Sequence, residues 1–218
     1  MGADSRITPK IFIMHTEALT PNTKRVLESL GGATLTKNVY LAGGTALALY
    51  YGHRFSVDLD WFGRDFKFTD EFRRKLSSVG KLEIISQSED TFHGQLDGIE
   101  VSFFHYPYKL LFPKTKYNRN IYLAAEKDIA SMKLDAIASR GSKKDFVDMY
   151  FLLHNFSLET LINLMPKKFG IKYNVSHLLK ALTYFEDAEK SPMPKMIKQV
   201  SWEEVKKFLV SEVKRYMK

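Results

Sequence analysis

The sequence predicts an α+β fold whose first half mixes strands and helices and whose second half is helical. Strand and helix patterns alternate as far as residue 106. Asp97-Gly98 stands between two alternating segments, which is a strong signal for a two-residue hairpin. Beyond Tyr122 only helical patterns follow. We therefore predict one α+β domain over residues 1–122 and a helical domain over residues 123–218.

Glycine and proline set the limits of the first helix. Thr20-Pro21 is typical of a helix start and Gly31-Gly32 of a helix end, which predicts a helix at residues 21–30. Apolar alternation and further glycines define the elements that follow. In chain order these are a strand at residues 39–42, a helix at 45–51, a strand at 56–62, a helix at 68–79 and strands at 81–86, 91–96 and 99–106.

Helix breakers divide the second half of the chain. Gly141-Ser142, Pro166, Gly170 and residues 191–194 interrupt the helical periodicity. The helices predicted between these breaks lie at residues 124–139, 143–155, 157–165, 174–188 and 201–217.

Composition excludes several classes of protein. The 218 residues include no cysteine, so disulfides and thiolate metal sites are excluded. Residues 1–10 lack the apolar core of a signal peptide, and no stretch approaches the length that spans a membrane. We therefore expect a cytoplasmic protein with no membrane partner.

The net charge of +8 lies wholly in the second half. Residues 1–110 carry 13 basic and 13 acidic side chains, whereas residues 111–218 carry 20 and 12. A basic half suits a polyanionic substrate, because phosphates are attracted over a Debye length of about 10 Å. The alternative is that scattered lysines only keep the surface solvated.

Gly43-Gly44-Thr45 joins a predicted strand to a predicted helix. The glycines let bare backbone amides approach an anion, and the positive end of the helix favours negative charge there. Thr45 is suited either to cap the helix or to hydrogen-bond a phosphate. Glycine pairs also end strands in many proteins, so this motif is not decisive alone.

Two aspartates spaced one apart indicate a metal site. Asp58 and Asp60 alternate with apolar residues, so both carboxylates should leave one face of a strand, about 7 Å apart along the chain. A fold keeps two such charges most readily when a cation lies between them, and carboxylate oxygens suit Mg²⁺. Ser56 falls on the same face. The alternative is a half-buried strand whose two aspartates face solvent.

Neighbouring side chains could complete this site. His53 and Arg54 are candidates either for phosphate contacts or for simple surface charges. Glu100 is the only acidic residue on the adjacent predicted strand, with Ser102 on the same face. It is therefore either a third metal-binding carboxylate or an exposed residue of the hairpin.

Charged residues of the helical half are further candidates. Lys133 lies between two isoleucines on one helix stripe, so its ammonium either reaches a phosphate or carboxylate or only extends to solvent. Asp145 and Asp148 open the next helix, where acidic residues ordinarily act as caps. An apolar run follows Asp148, so the alternative for this aspartate is a buried position with Arg140 or Lys133 as its partner.

Four motifs in this order resemble those of the AbiEii/AbiGii nucleotidyltransferase family. They are Gly43–Leu47, His53–Asp60, Lys133–Arg140 and Lys144–Tyr150, and the resemblance covers residues 39–153. The family includes toxins of bacterial and archaeal toxin–antitoxin and phage-defence systems. The resemblance implies a polymerase-β-like nucleotidyltransferase fold with a mixed sheet, followed by a C-terminal helical bundle that completes the active site.

The resemblance also implies roles for the matching residues. Contacts to a nucleoside triphosphate would come from Gly43, Gly44, Thr45, Arg54, Ser56 and Lys144. Asp58 and Asp60 would bind Mg²⁺, with Glu100 as the candidate third ligand. Lys133 would contact phosphate, and Asp145 with Asp148 would complete the catalytic set. The departure from the family pattern is on the third strand, where the choice between Ser102 and an offset Glu100 puts a three-carboxylate mechanism in doubt.

The implied function is Mg²⁺-dependent transfer of a nucleoside monophosphate to an acceptor hydroxyl. Some relatives modify the acceptor end of transfer RNA, so RNA is the expected acceptor and an antitoxin protein an expected partner. Two alternatives stay open. The acceptor could be a small molecule or a protein, or the chain could bind nucleotides or nucleic acid without catalysis.

Overall fold

A mixed seven-stranded sheet forms the centre of the protein in the computed structural model, which describes residues 13–118, 120–170 and 173–218. The strands are β1 (Tyr40–Leu41), β2 (Leu59–Gly63), β3 (Leu82–Gln87), β4 (Thr91–Leu96), β5 (Ile99–His105), β6 (Thr115–Lys116) and β7 (Tyr122–Leu123). Their order across the sheet is β3-β4-β5-β2-β1-β7-β6. β2 runs parallel to β5 and antiparallel to β1, so the predicted mixed sheet is confirmed.

Helices flank the sheet and form most of the second half. A short 3-10 helix covers Thr16–Ala18. The α-helices are α1 (Pro21–Gly32), α2 (Gly43–Tyr51), α3 (Asp70–Ser77), α4 (Glu126–Ser139), α5 (Lys143–Leu153), α6 (Leu158–Ile162), α7 (Met165–Phe169), α8 (Val175–Ala181), α9 (Glu186–Glu189) and α10 (Trp202–Tyr216). The predicted helical C-terminal region is therefore present.

The core runs from the sheet into the helices. Trp61 and Phe103 lie on the neighbouring strands β2 and β5, with their rings stacked 6.0 Å apart. Leu134 of α4 and Phe146 of α5 belong to the same buried hydrophobic cluster. Burying such large side chains stabilises the fold by about 1.5–3 kcal/mol each. This cluster crosses residue 122, where the domain boundary was placed, and the division into two domains stays a prediction.

The strand with the two aspartates starts later than predicted. β2 begins at Leu59, because the preceding residues pair elsewhere: Ser56 bridges to Leu19 and Arg54 to Met196. Asp58 therefore lies just before the strand, while Asp60 lies within it. These contacts outside the sheet hold the segment from Arg54 to Asp58 near the β1–α2 turn.

Several other elements also differ from the prediction. The helix predicted at residues 157–165 ends earlier, as α6, and α7 runs across the break predicted at Pro166. The helix predicted from Thr45 begins two residues earlier, at Gly43. Strands β6 and β7 have two residues each, too few for alternation to reveal them. The helix predicted at residues 174–188 is divided into α8 and α9. Thr183 contributes to this division, because its hydroxyl donates to the carbonyl of Lys180 (3.1 Å) and competes with the helix backbone.

None of the helices in the described part of the chain is long and apolar enough to span a membrane. The predicted lack of a signal peptide at residues 1–10 lies outside the described residues.

Candidate active site

Four segments converge on one cavity of about 290 Å³. They are the β1–α2 turn, the residues that lead into β2, the C-terminal part of α4 and the first turn of α5. The cavity is lined by Gly43, Gly44, Thr45, Arg54, Ser56, Asp58, Asp60, Phe62, Tyr106, Ile129, Met132, Lys133, Asp135, Ala136, Ser139, Arg140, Lys144 and Asp145. Most of the predicted site residues are thus together, and the two exceptions are Glu100 and Asp148.

The two aspartates of the β2 segment face the glycine turn. Gly43 adopts a φ of +65°, a conformation that favours glycine. A Cβ on Gly43 would lie 3.0 Å from Oδ2 of Asp60, so this carboxylate sits directly against the turn. No side chain caps the α2 helix at Ala42. The backbone amides of its first turn therefore lie beside the carboxylates, as binding of a metal–phosphate complex requires.

Thr45 has a different task from the two predicted for it. Its side chain is buried, and Oγ1 lies within hydrogen-bond distance of Ser56 Oγ (2.8 Å) and of the carbonyl oxygen of Asp58. Thr45 therefore neither caps α2 nor reaches freely towards the cavity. It fixes the Ser56–Asp58 segment, and with it the position of the Asp58 carboxylate.

A buried ion-pair network lies behind the cavity, with Asp148 at its centre. Arg54 donates to both carboxylate oxygens, from Nε to Oδ1 (2.7 Å) and from Nη2 to Oδ2 (2.9 Å). Lys133 Nζ lies 2.7 Å from Oδ2, and His53 Nε2 lies 2.7 Å from Oδ1. Asp148 is fully buried and does not line the cavity. It thus positions two cations behind the cavity, and a catalytic role for Asp148 stays a prediction.

Asp145 connects this network to the start of α5. Its Oδ1 accepts from Lys133 (2.8 Å), and its Oδ2 accepts from the hydroxyl of Ser142 (2.5 Å) in a capping box. The helix-cap interpretation therefore holds for Asp145, which is also buried and paired. Lys133 is fixed in place because its ammonium pairs with both Asp145 and Asp148. Its side chain also lines the cavity.

The directions of the pKa shifts agree with a network in which negative and positive charges balance. Burial raises the pKa of Asp148, but the adjacent Arg54 and Lys133 outweigh that effect and hold it well below its usual range. Burial lowers the pKa of His53 more than its bond to Asp148 raises it, so this imidazole is neutral. Two carboxylates and two cations therefore neutralise each other. Of the two alternatives for His53 and Arg54, simple surface charge is wrong, since both side chains are buried.

The exposed cations of the cavity are Arg140 and Lys144. The Lys144 side chain is 48% exposed, with Nζ 3.4 Å from Oδ2 of Asp58. That of Arg140 is 71% exposed, with Nε 3.9 Å from Oδ2 of Asp145. Both can turn to an incoming phosphate at little cost, unlike Arg54 and Lys133. Arg140 was predicted only as an ion-pair partner of Asp148. Its position at the end of α4, on the same helix stripe as Lys133, was the signal for a place in the site.

Glu100 does not join the aspartates in a three-carboxylate cluster. Its side chain is exposed on β5, and Ser102 is the residue paired with Asp60. In the described part of the chain, no three His, Asp or Glu side chains are grouped so that they could hold a metal ion. The parallel pairing of β2 and β5 sets this register, and it cannot be read from local alternation.

The two aspartates nevertheless fit a magnesium ion. Burial raises the pKa of Asp60, and the neighbouring Asp58 raises it further, because the two negative charges repel each other. A divalent cation between them would remove this repulsion. Magnesium commonly uses one or two protein carboxylates and completes its shell with water and phosphate, so a third carboxylate is not needed.

An apolar wall faces the charged side of the cavity. Phe62 and Tyr106 are in edge contact, with ring centroids 5.4 Å apart, and Met132 of α4 lies opposite. Aromatic side chains of this kind can pack against a nucleobase or a ribose. Phe62 and Tyr106 were not predicted as site residues, because the sequence pattern does not distinguish them from other aromatic residues of strands.

Comparisons with known proteins agree with this geometry. An uncharacterised protein of Aquifex aeolicus (strain VF5) is 41% identical over 204 residues, which is 91% of this chain and 98% of that protein. Residues 25–111 match the sequence model of the family described as nucleotidyl transferase AbiEii toxin, type IV toxin–antitoxin system. The matched segment includes the glycine turn and both aspartates. The chain belongs to the AbiEii nucleotidyltransferase toxin family.

A solved structure places this AbiEii chain in the nucleotidyltransferase fold. A crystal structure from Helicobacter pylori, provisionally assigned as a nucleotidyltransferase, superposes with a TM-score of 0.55 at 17% identity, over 89% of this chain and 92% of that one. The nucleotidyltransferase toxin MenT4 of Mycobacterium tuberculosis gives a TM-score of 0.44 at 14% identity, over 89% and 86% of the two chains. The first of these likenesses confirms the predicted fold.

Gly44→Ala should damage the site of this AbiEii protein. The new methyl group would overlap Nη2 of Arg54, and Arg54 cannot retreat easily because Asp148 holds it. We expect a loss of stability of about 1–3 kcal/mol and at least a tenfold loss of nucleotide affinity. Urea denaturation and titration with a fluorescent nucleotide measure these effects.

Gly32→Ala is the matched control, because nothing lies within 4 Å of its added Cβ. This control should leave nucleotide affinity unchanged and should not lower stability, since alanine is at least as favourable as glycine in a helix. Equal behaviour of the two variants would show that Arg54 is not held against the glycine turn.

Proposed function

We propose that this protein transfers a nucleoside monophosphate from a nucleoside triphosphate to a hydroxyl of RNA, with Mg²⁺, as the toxin of a toxin–antitoxin pair. One observation carries the proposal: Asp58 and Asp60 share a cavity with the Gly43-Gly44 turn that opens α2. Carboxylates for a divalent ion and bare amides for phosphate are thereby held side by side. Membership of the AbiEii family supports the same reaction class and an antitoxin partner.

Each wall of the cavity has a part in binding the triphosphate. The phosphates would be held by backbone amides at the start of α2 and by the exposed side chains of Arg140 and Lys144. Phe62 and Tyr106 would pack against the base or sugar. Asp58 and Asp60 would hold magnesium, which when bound neutralises charge on the phosphates and on the departing pyrophosphate.

The reaction itself is a displacement at phosphorus. The acceptor oxygen forms a bond to the α-phosphorus, the bond from that phosphorus to the α,β-bridging oxygen breaks, and pyrophosphate leaves. The chain contributes mainly orientation and charge. RNA is favoured as acceptor because the whole excess charge of +8 lies in residues 111–218, the half that supplies Arg140 and Lys144.

A labelling experiment tests the proposal. The protein is incubated with each α-labelled ribonucleoside triphosphate, magnesium and total RNA, and the products are separated on a denaturing gel. We expect label on RNA with magnesium and none with EDTA. A double variant, Asp58→Asn with Asp60→Asn, purified in the same way, excludes a contaminating enzyme. Label on protein alone would favour the other acceptor class, and no label with any triphosphate would contradict catalysis.

A further inference from the structure

A second cavity, of about 390 Å³, adjoins the first on the other side of the two aspartates. Both cavities include Asp58, Asp60, Phe62, Arg140 and Lys144. The second is otherwise lined by the exposed face of β4 and β5. If the triphosphate occupies the first cavity, the second offers space for another group beside the same two aspartates. An acceptor hydroxyl needs such a space, because it must approach the α-phosphorus opposite the departing pyrophosphate.

Sheet register aligns three residues of this face. Asp60 on β2 is paired with Ser102 on β5, and Ser102 is paired with His93 on β4. Directly paired residues lie on the same face of a sheet. Neighbouring strands are about 4.8 Å apart, so the backbone of His93 lies about 10 Å from that of Asp60. This gap leaves room for an acceptor group between the imidazole and the aspartates.

His93 is held by a buried hydroxyl. Its Nδ1 lies 3.0 Å from Oγ of Ser102, and Ser102 is only 6% exposed. We assign the hydrogen to Nδ1, which then donates to the serine and leaves Nε2 with a lone pair. An imidazole fixed in this way is suited to accept a proton.

We propose that His93, oriented by Ser102, is the general base for the acceptor hydroxyl. The proposal rests on the proposed nucleotidyl transfer and adds the group that takes the proton. Nε2 accepts the hydroxyl proton while the acceptor oxygen bonds to the α-phosphorus and pyrophosphate departs. A serine–histidine pair thus lies beside Asp60 where a third carboxylate was sought, and exposed Glu100 is the rival base.

Several charged groups face this imidazole across the cavity. Asp58, Asp60 and Glu100 carry negative charge, and Arg140 and Lys144 carry positive charge. The neighbouring strand β3 places an uncharged residue, Ser86, next to it. A pH-dependent rate can therefore be assigned to His93 only by comparison with a variant in which His93 alone is replaced.

The test compares single-turnover transfer rates of the wild type and His93→Gln from pH 5 to 9. We expect a loss of about 10²-fold or more for the variant, with unchanged nucleotide affinity. The wild-type rate should fall as the imidazole becomes protonated, and this fall should be absent from the variant. Added imidazole should restore part of the variant's activity. Ser102→Ala, which frees the ring, should lose about tenfold.

His154→Gln is the control, because His154 stacks on Phe208 and lies in neither cavity. It should match the wild type. A His93→Gln protein with the wild-type rate and pH profile would overturn the inference and leave the proposed function standing. A greater loss in Glu100→Gln than in His93→Gln would assign the base to the carboxylate instead. A wild type without any transfer would remove both proposals.

Discussion

Asp148→Asn is expected to lower the free energy of unfolding by about 3–5 kcal/mol, because it leaves Arg54 and Lys133 buried without the carboxylate they share. Asparagine is close to aspartate in size, so packing changes little and the lost charge dominates. Its amide group would also point donors at side chains that are themselves donors. The cost should therefore exceed that of an ordinary buried hydrogen bond, which is about 1 kcal/mol.

Urea denaturation followed by circular dichroism measures this loss. Asp90→Asn is the control, because Asp90 also pairs with a lysine, 2.9 Å away, but at the exposed surface. Its denaturation midpoint should match that of the wild type. A midpoint for Asp148→Asn equal to that of Asp90→Asn would show that other groups can replace Asp148 as the partner of both cations.

The same carboxylate makes stability depend on pH. Arg54 and Lys133 overcome the effect of burial and hold the pKa of Asp148 below its value in the unfolded chain. The contribution to stability is therefore complete above about pH 4 and is lost as the pH falls through the lowered pKa. In Asp148→Asn this acid loss should be absent. His53, whose pKa is also lowered, should add a decline below about pH 6.5 in the wild type.

Short-range sequence patterns predicted those parts of the site that lie within single short segments of the chain. The glycine turn, the two aspartates and the first turn of α5 lie within short segments, where alternation and capping rules apply. The structure brings these segments to one cavity. Of the two partners considered for Asp148, Lys133 is confirmed. The partner Arg54 could not be found in this way, because it lies 94 positions earlier and only the tertiary fold brings the two together.

Strand register limited the rest of the prediction. Glu100 and Ser102 both lie on the cavity-facing side of β5, so alternation could not decide which one faces Asp60. The pairing of β2 with β5 shows that Ser102 lies beside Asp60. The pairing of β5 with β4 then places His93 beside Ser102. An isolated histidine on a strand offers no signal until its cross-strand neighbours are known.

Asp60→Asn should abolish nucleotidyl transfer without weakening the fold. Burial and the adjacent Asp58 both raise the pKa of Asp60, so the folded protein pays to keep this carboxylate ionised. Neutralising it removes that repulsion, and the free energy of unfolding should stay equal or rise. If Asp60 holds magnesium as proposed, its loss would remove several kcal/mol of charge stabilisation, which corresponds to a rate loss on the order of 10³-fold. Such a combination is typical of a functional residue held at a cost in stability.

Two measurements separate this result from simple damage. Thermal unfolding should give Asp60→Asn a melting temperature at or above that of the wild type, while transfer of label to RNA becomes undetectable. Fluorescent-nucleotide titration should lose its magnesium dependence in the variant. Asp65→Asn, an exposed change in the segment after β2, should alter none of these quantities. Retained transfer in Asp60→Asn would mean that this carboxylate only shapes the glycine turn. Metal binding would then have to be sought elsewhere on the β2 face.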